Sequence, residues 1–443
     1  MAEALHKSLG AIQDAYYDWP MLKQPLVLPL AAIALAALLT KSASAQNASS
    51  DAALAAFRPK FESVLKQHGI VGGGFAFVRD QGQAQTIVFG EARRDSHQPV
   101  DDATTYNWAS ITKTMTAIAI LQLRDHGKLS LDDPAVRYVP ELRQVHDEFG
   151  SIDQITIRHL LSHSAGFRNP TWPWDCDDAK NCDWQPFEPT KWTQVAAMLP
   201  YTHVAFAPGS RWSYSNLGYV FLGQIIERLS GDDFEVYIDK NILKPLGMTS
   251  SYFDVAPYFL ESHVSGSYLR AGEKLTPQPF NFDTGITTSN SGLKAPVTDM
   301  AKYLRFLIGA PGNPVYEIVL KRSSLEEAWK GVLPATEPGQ AATAYTAGPH
   351  GSRPMMGLGF FIVETGGHRY VYHDGDQGGF SSEMLIDPAD HCASILVVNT
   401  TDTGAPAPSP ELHPQSNTEP DAQTDLRQTL RAILIDQVFP AAK

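Results

Sequence analysis

Cysteine is the scarcest chemistry-bearing residue here, with three in 443 residues. So few thiols exclude a disulfide-built scaffold. No Cys/His spacing of the zinc type occurs, and HExxH is absent, so neither common zinc signature is present. Lysine- and arginine-rich runs are missing too, and the formal net charge is -13. That balance argues against nucleic acid as a partner; surplus acid serves mainly solubility. The longest apolar stretch near the amino terminus, residues 24–40, falls short of the ~20 residues a bilayer span needs. What is present is an ordinary globular composition, 43% hydrophobic and 19% charged, with length for one large or two smaller domains.

The amino terminus reads as an address. Residues 24–40 carry no charge and are rich in Leu and Ala. Lys23 precedes them and Ser42-Ala43-Ser44-Ala45-Gln46 follows, the order of a secretory signal. Cleavage is expected after Ala45, and Met21 makes a better start for such a signal than Met1. The protein is therefore expected to be secreted or periplasmic, touching a membrane only if residues 1–45 stay uncleaved. In that compartment Cys176 and Cys182 could close a small disulfide loop. Cys392 reads as a buried strand cysteine. No metal or other cofactor is indicated.

Residues 51–67 carry Ala53, Leu54, Phe57, Phe61 and Leu65 at helical spacing, with Pro59 as a kink or a start. Two strands follow, 72–79 and 85–91, joined at Asp80-Gln81-Gly82. Residues 129–141 are a proline-punctuated loop, and 155–166 a short helix with a glycine stop and two histidines, His159 and His163. Both histidines are read as structural. Residues 167–192 form a long irregular loop in which Trp172, Trp174 and Trp184 are interleaved with prolines and acids; they are candidates for a pocket rim. Helices are expected at 217–229 and 297–308. Residues 339–352 read as a surface loop. Four strands, 359–363, 368–372, 381–386 and 393–399, suggest an antiparallel meander. Residues 401–424 are a flexible excursion, and 425–443 a helix packing on the sheet.

Three stretches carry chemistry. Ser110-Ile111-Thr112-Lys113 stands at the mouth of a helix, before an apolar run at 117–123. There the backbone N–H groups lack intrahelical partners, and a lysine one turn on can return to the serine hydroxyl. A serine needs such a neighbour to become a nucleophile. The same spacing recurs at Ser63/Lys66, inside the first helix, and at Ser291/Lys294, in a small-residue loop; both are read as coincidence. Tyr214-Ser215-Asn216 precedes a helix, and a buried tyrosine beside an ammonium can serve as a base. His373-Asp374-Gly375 falls at a strand end. Its glycine would admit a close approach to the strand edge, whose N–H could complete an oxyanion hole with that of Ser110.

In this order and spacing, Ser110-x-x-Lys113, Tyr214-x-Asn216 and His373-x-Gly375 resemble the three signature elements of the penicillin-recognising serine hydrolases. The second element is similar to the branch of class C β-lactamases, D-alanyl-D-alanine carboxypeptidases, D-aminopeptidases and related esterases. The resemblance covers residues 53–400. It implies an α+β fold of the β-lactamase/transpeptidase type, an antiparallel sheet flanked by helices in an α/β/α sandwich. A mostly helical subdomain would be inserted, with the sheet half at 51–105 and 281–443 and the helical half at 106–280. It also implies roles. Ser110 would form an acyl-enzyme, Lys113 and Tyr214 would manage its proton, and Asn216, His373 and Gly375 would orient the substrate. The N–H groups of Ser110 and Asp376 would form the oxyanion hole. The sequence departs from the β-lactamase pattern in having no Lys-Thr-Gly. Histidine is only partly charged near neutrality, and Asp374 and Asp376 are expected to repel a substrate carboxylate. The expected activity is a carboxylesterase of small acyl esters with little β-lactamase activity. The alternatives are a D-amino-acid-specific peptidase or DD-carboxypeptidase, and a catalytically silent peptidoglycan-binding protein. Gly-x-Ser-x-Gly is absent, which argues against an α/β-hydrolase.

Overall fold

The computed structural model describes residues 30–80, 82–167, 189–281, 283–309, 314–335, 352–402 and 422–441. The chain divides into two units, 1–48 and 49–443. In the first, residues 30–48 are helical. No helix among the described residues is long and apolar enough to cross a membrane. The architecture below is that of the second unit.

Its strands in chain order are β1 (Gly72–Arg79), β2 (Gln85–Arg93), β3 (Gln98–Pro99), β4 (Thr105–Asn107), β5 (Ser267–Ala271), β6 (Lys274–Gln278), β7 (Lys294–Pro296), β8 (Leu333–Pro334), β9 (Met355–Met356), β10 (Phe361–Thr365), β11 (His368–Gln377), β12 (Phe380–Asp387), β13 (Cys392–Val398) and β14 (Thr400–Asp402). Five helices matter for the site: α1 (Leu30–Gln67), α2 (Thr112–Asp125), α3 (Asn216–Ser230), α4 (Val297–Ile308) and α5 (Ala422–Ile433).

A nine-stranded sheet runs β3-β2-β1-β13-β12-β11-β10-β9-β8. Every pair in it is antiparallel. The β10–β13 meander is built by tight hairpins. Gly366-Gly367 and Gly378-Gly379 all have positive φ, the backbone that two-residue hairpin turns require. Side chains alternate across the sheet with the period of two that strands impose. Ala76, Val371, Met384, Ile395 and Val397 join α2, α3 and α4 in one core. Phe75, Phe77, Tyr372, Leu385, Leu396 and Val398 join Phe57, Phe61 and Leu65 of α1 and Leu426 and Leu430 of α5 in a second. Helices therefore cover both faces, and β12 is buried along its whole length. Phe75 packs between Phe57 and Phe61 at ring-centroid distances of 4.9 and 5.8 Å. Each such ring contributes about 1.5–3 kcal/mol by burial.

Residues 112–123 of α2 are buried on every side, so this helix is central rather than amphipathic. The helix at α3 is capped by Ser215, whose Oγ accepts the Gly218 N–H at 3.0 Å, and ends at Gly231 with φ 78°.

Several expectations are revised. The first helix spans Leu30–Gln67 and carries Pro59 inside it. β11 runs five residues beyond the expected end, to Gln377, so His373 lies in mid-strand. Thr400–Asp402, partly assigned to the flexible excursion, pairs in parallel with β5. The helix after Thr156 is Ile157–Leu161, so His163 is beyond it and does not share a face with His159. The expected rim residues Trp172, Trp174 and Trp184, the cysteines 176 and 182, most of the 401–424 excursion and most of the 339–352 loop lie outside the described residues.

Candidate active site

The turn carrying Ser110 is held from two sides before the helix starts. β4 pairs antiparallel with β7. Trp108 then donates its N–H to Leu293 O at 2.9 Å and its indole N–H to Ala295 O at 2.9 Å. Asn107 Oδ1 accepts the Ala109 N–H at 2.7 Å. From the sheet, Ser382 Oγ donates to Trp108 O at 3.1 Å. These bonds keep Ala109 at φ 49°, a conformation that costs a side-chain-bearing residue ~1–2 kcal/mol. The result is a 3-10 turn, Ala109–Ile111, feeding α2, with Ser110 half-buried at its outer side.

Lys113 is fully buried. Its Nζ donates to Ser110 Oγ at 2.9 Å and to Asn290 O at 2.9 Å. It also lies over the rings of Tyr214 and Tyr219, 4.9 and 5.6 Å from their centroids. A buried ammonium is tolerable only with such partners. Tyr219 donates its hydroxyl to Leu161 O at 3.0 Å; burial, then the neighbouring Tyr214, push its pKa well above the usual phenol range.

Tyr214 is half-buried and stacks on His163, ring centroids 4.4 Å apart. His163 is buried, with φ 54°. Its carbonyl accepts the Ser213 N–H at 2.8 Å and its Nδ1 the Ser215 N–H at 3.0 Å. It thus grips the chain on both sides of Tyr214. Burial, then the charge of Lys113, hold its pKa well below the ordinary 6.5. Asn216 is half-buried at the first position of α3.

His373 is buried as well. Its Nδ1 donates to Asp374 O at 2.6 Å. Burial, and next the Lys113 charge, lower its pKa from 6.5 to about 4, so it is neutral at pH 7. The partial positive charge expected from sequence is absent. Gly375 is required by space: a Cβ there would meet Trp108 O at 2.5 Å, Ser382 Oγ at 2.6 Å and Ser110 N at 3.1 Å. The close approach is made by the Ser110 turn itself. Beyond Tyr372, β11 pairs with β12 alone among the described strands. Counting rungs from the Gln377↔Phe380 pair that closes the hairpin, hydrogen-bonded pairs alternate with open ones. Asp376 sits in an open pair, so its N–H points to the free edge.

The carboxylates of Asp374 and Asp376 do not face this edge. They point to the opposite face, where Arg431 binds Asp374 at 2.9 Å and Arg427 binds Asp376 at 2.6 Å. The expected repulsion of a substrate carboxylate is corrected accordingly. Ser291/Lys294 behaves as a coincidence of spacing: Lys294 lies on β7 and donates to Asp254 O at 2.6 Å. Sequence reasoning missed His163, Tyr219 and Asn290 as neighbours of Lys113 and Tyr214. Tyr219 stands three residues after Asn216, on the same helical face, a spacing that could have marked it; the other two carry no local signal.

Known proteins share this arrangement's scaffold. A family model described as Beta-lactamase matches residues 57–413. Protein flp of Staphylococcus aureus (strain COL) is 24% identical over 339 residues, 76% of this chain and 61% of that protein. A Beta-lactamase of Pseudomonas fluorescens is 29% identical over 235 residues, 52% of this chain and 60% of that protein. The chain thus spans about three fifths of the length of the curated relatives it matches. Among solved structures, the octameric penicillin-binding protein homologue from Pyrococcus abyssi superposes with TM-score 0.64 at 28% identity, over 77% of this chain and 73% of that one. A Beta-lactamase/D-alanine Carboxypeptidase from Yersinia pestis does so with TM-score 0.62 at 20% identity, over 85% and 99%, a likeness of fold alone. With the family model covering most of its length, this chain belongs to the Beta-lactamase family.

Proposed function

We propose that the protein is an exported carboxylesterase that acts on small acyl esters through an acyl-enzyme on Ser110. The observation that carries the reading is the 2.9 Å bond from the buried Lys113 ammonium to Ser110 Oγ. A buried cation beside a half-exposed hydroxyl stabilises the alkoxide. Ser110 Oγ attacks the acyl carbonyl, and its proton passes to the Lys113–Tyr214 pair. The N–H groups of Ser110 and Asp376 donate to the developing oxyanion. Collapse breaks the bond to the alkoxy oxygen, and Tyr214 returns the proton to the departing alcohol. Water then attacks the acyl-enzyme, losing a proton to the same pair, and the carboxylic acid leaves as Ser110 regains its hydrogen. Asn216 orients lysine and substrate.

The neutral His373 favours esters over anionic β-lactams and over peptides with a free carboxylate, because it supplies no fixed cation to that group. Esters also need less help with the leaving group than amides do. The test is intact-protein mass spectrometry after a small-acyl fluorophosphonate, with a β-lactam in parallel. One fluorophosphonate adduct at Ser110, with ester turnover exceeding β-lactam turnover, is expected. Faster turnover of a D-alanyl-D-alanine peptide than of any ester would move the assignment to a D-peptidase. No adduct from either reagent would leave a peptidoglycan-binding protein. Export is tested by the mass of the secreted chain, expected to begin at Gln46.

A further inference from the structure

The back of β11 is wired to the carboxy-terminal helix in register. Arg427 and Arg431 are one helical turn apart on α5 and both are buried. Arg427 donates to both carboxylate oxygens of Asp376, at 2.7 and 2.6 Å, and to Ser381 Oγ at 2.9 Å. Arg431 donates to both oxygens of Asp374, at 2.9 and 3.1 Å, and from two of its nitrogens to Glu383 Oε2, at 2.9 and 2.5 Å. It also lies over the Tyr372 ring, 4.6 Å from the centroid. Asp376 and Ser381 are cross-strand partners, and so are Asp374 and Glu383. Each arginine therefore grips one rung of the β11–β12 hairpin, and the two rungs flank Gly375.

The spacing makes this possible. Four residues of helix rise about 6 Å, and two residues of antiparallel strand about 6.8 Å. An Arg-x-x-x-Arg face thus meets an Asp-x-Asp edge without distortion. Apolar contacts already hold α5 to the sheet through Leu426 and Leu430. Apolar side chains in place of the ion pairs would do so with less desolvation cost. Ion pairs at two successive rungs add register, since Arg427 ties Asp376 to Ser381 through Nη1 and Arg431 ties Asp374 to Glu383.

We propose that Arg427 and Arg431 are positioning residues that set the peptide planes of Asp374 and Asp376. They thereby aim the Asp376 N–H at the carbonyl attacked by Ser110. This rests on the hydrolase reading above, and the experiment separates the two. The full chain bearing Arg427→Met is compared with wild type for ester turnover divided by the number of sites titrated with fluorophosphonate. Turnover per titrated site is expected to fall on the order of 10–100-fold, the scale of a small misplacement at a reacting centre, with KM unchanged. Arg427→Lys, which keeps the charge and offers a single nitrogen in place of Nη1, should recover part of it. A merely structural arginine would lower the melting temperature and the titrated fraction, leaving turnover per titrated site at the wild-type value; that result overturns the proposal. Should Arg427→Met fail to fold, Ser381→Ala and Arg427→Lys are read by the same ratio, and wild-type values in both overturn it. Wild-type protein that takes no label would instead bring down the hydrolase reading itself.

Discussion

Two Ser-x-x-Lys pairs in this chain have the same spacing, and both lysines are buried, yet their surroundings differ. At Ser110/Lys113 the pair spans the junction of a 3-10 turn and a long helix, and the ammonium returns to the serine oxygen. At Ser291/Lys294 the serine ends a four-residue helix, Thr288–Ser291. The lysine has already entered β7, with its Nζ on the Asp254 carbonyl. Spacing brings side chains together only if the backbone between them stays helical. A third pair, Ser63/Lys66, does stay helical inside α1, but the lysine side chain is 66% exposed and bridges to Glu62 instead. A bonded, buried pair needs helical continuity and burial at once, and residues 110–113 have both.

The strongest way to break that contrast is Ser110→Ala. Ester turnover should drop ~10³-fold or more, with unchanged circular dichroism and no fluorophosphonate adduct; retained turnover would remove the assignment. Lys113→Met and Tyr214→Phe come next, each costing ~10²–10⁴-fold, read as turnover by folded protein.

A smaller effect sharpens the other side of the comparison. Burial lowers the Lys294 pKa from 10.5 to about 8. The unfolded chain then binds more protons than the folded one between those values, so this lysine makes stability rise with pH across that window. It contributes at most about 3 kcal/mol. Urea midpoints from pH 7.5 to 10.5 should show that rise in wild type and lose it in Lys294→Met; parallel curves would mean the amine is not held as described. Smallest of all, Lys66→Ala should change stability by no more than ~0.5 kcal/mol and leave turnover at the wild-type value.

The meander strands, the α2 helix and the three chemical stretches were legible because their patterns are local: alternation, a cap, a fixed spacing. The length of β11 was not. Asp374-Gly375-Asp376 reads as a turn until the cations that neutralise it are known, and those are 57 and 51 residues away. The same distance produced the mistaken repulsion argument, because strand parity sends both carboxylates to the back of the sheet. His163 was read as structural from a helix that in fact ends two residues before it. Its backbone at positive φ is imposed by tertiary bonds to Ser213 and Ser215, which no local pattern announces.

The strained backbone at Ala109 has a consequence in time as well as in geometry. Locally it is bonded by Asn107 Oδ1 and by Thr112, whose Oγ donates to Ala109 O at 2.7 Å; the bonds that tie the turn down from elsewhere run to Leu293 and Ala295 and from Ser382 on the sheet. The turn can therefore close only after those elements have assembled. Its native contacts are expected to form beyond the folding barrier. Weakening them, as in Ser382→Ala, should speed unfolding and leave the folding rate nearly untouched. The Ser110 turn would then be among the last parts of the molecule to form and the first to be lost, and labelling at Ser110 would decay before the global fold does.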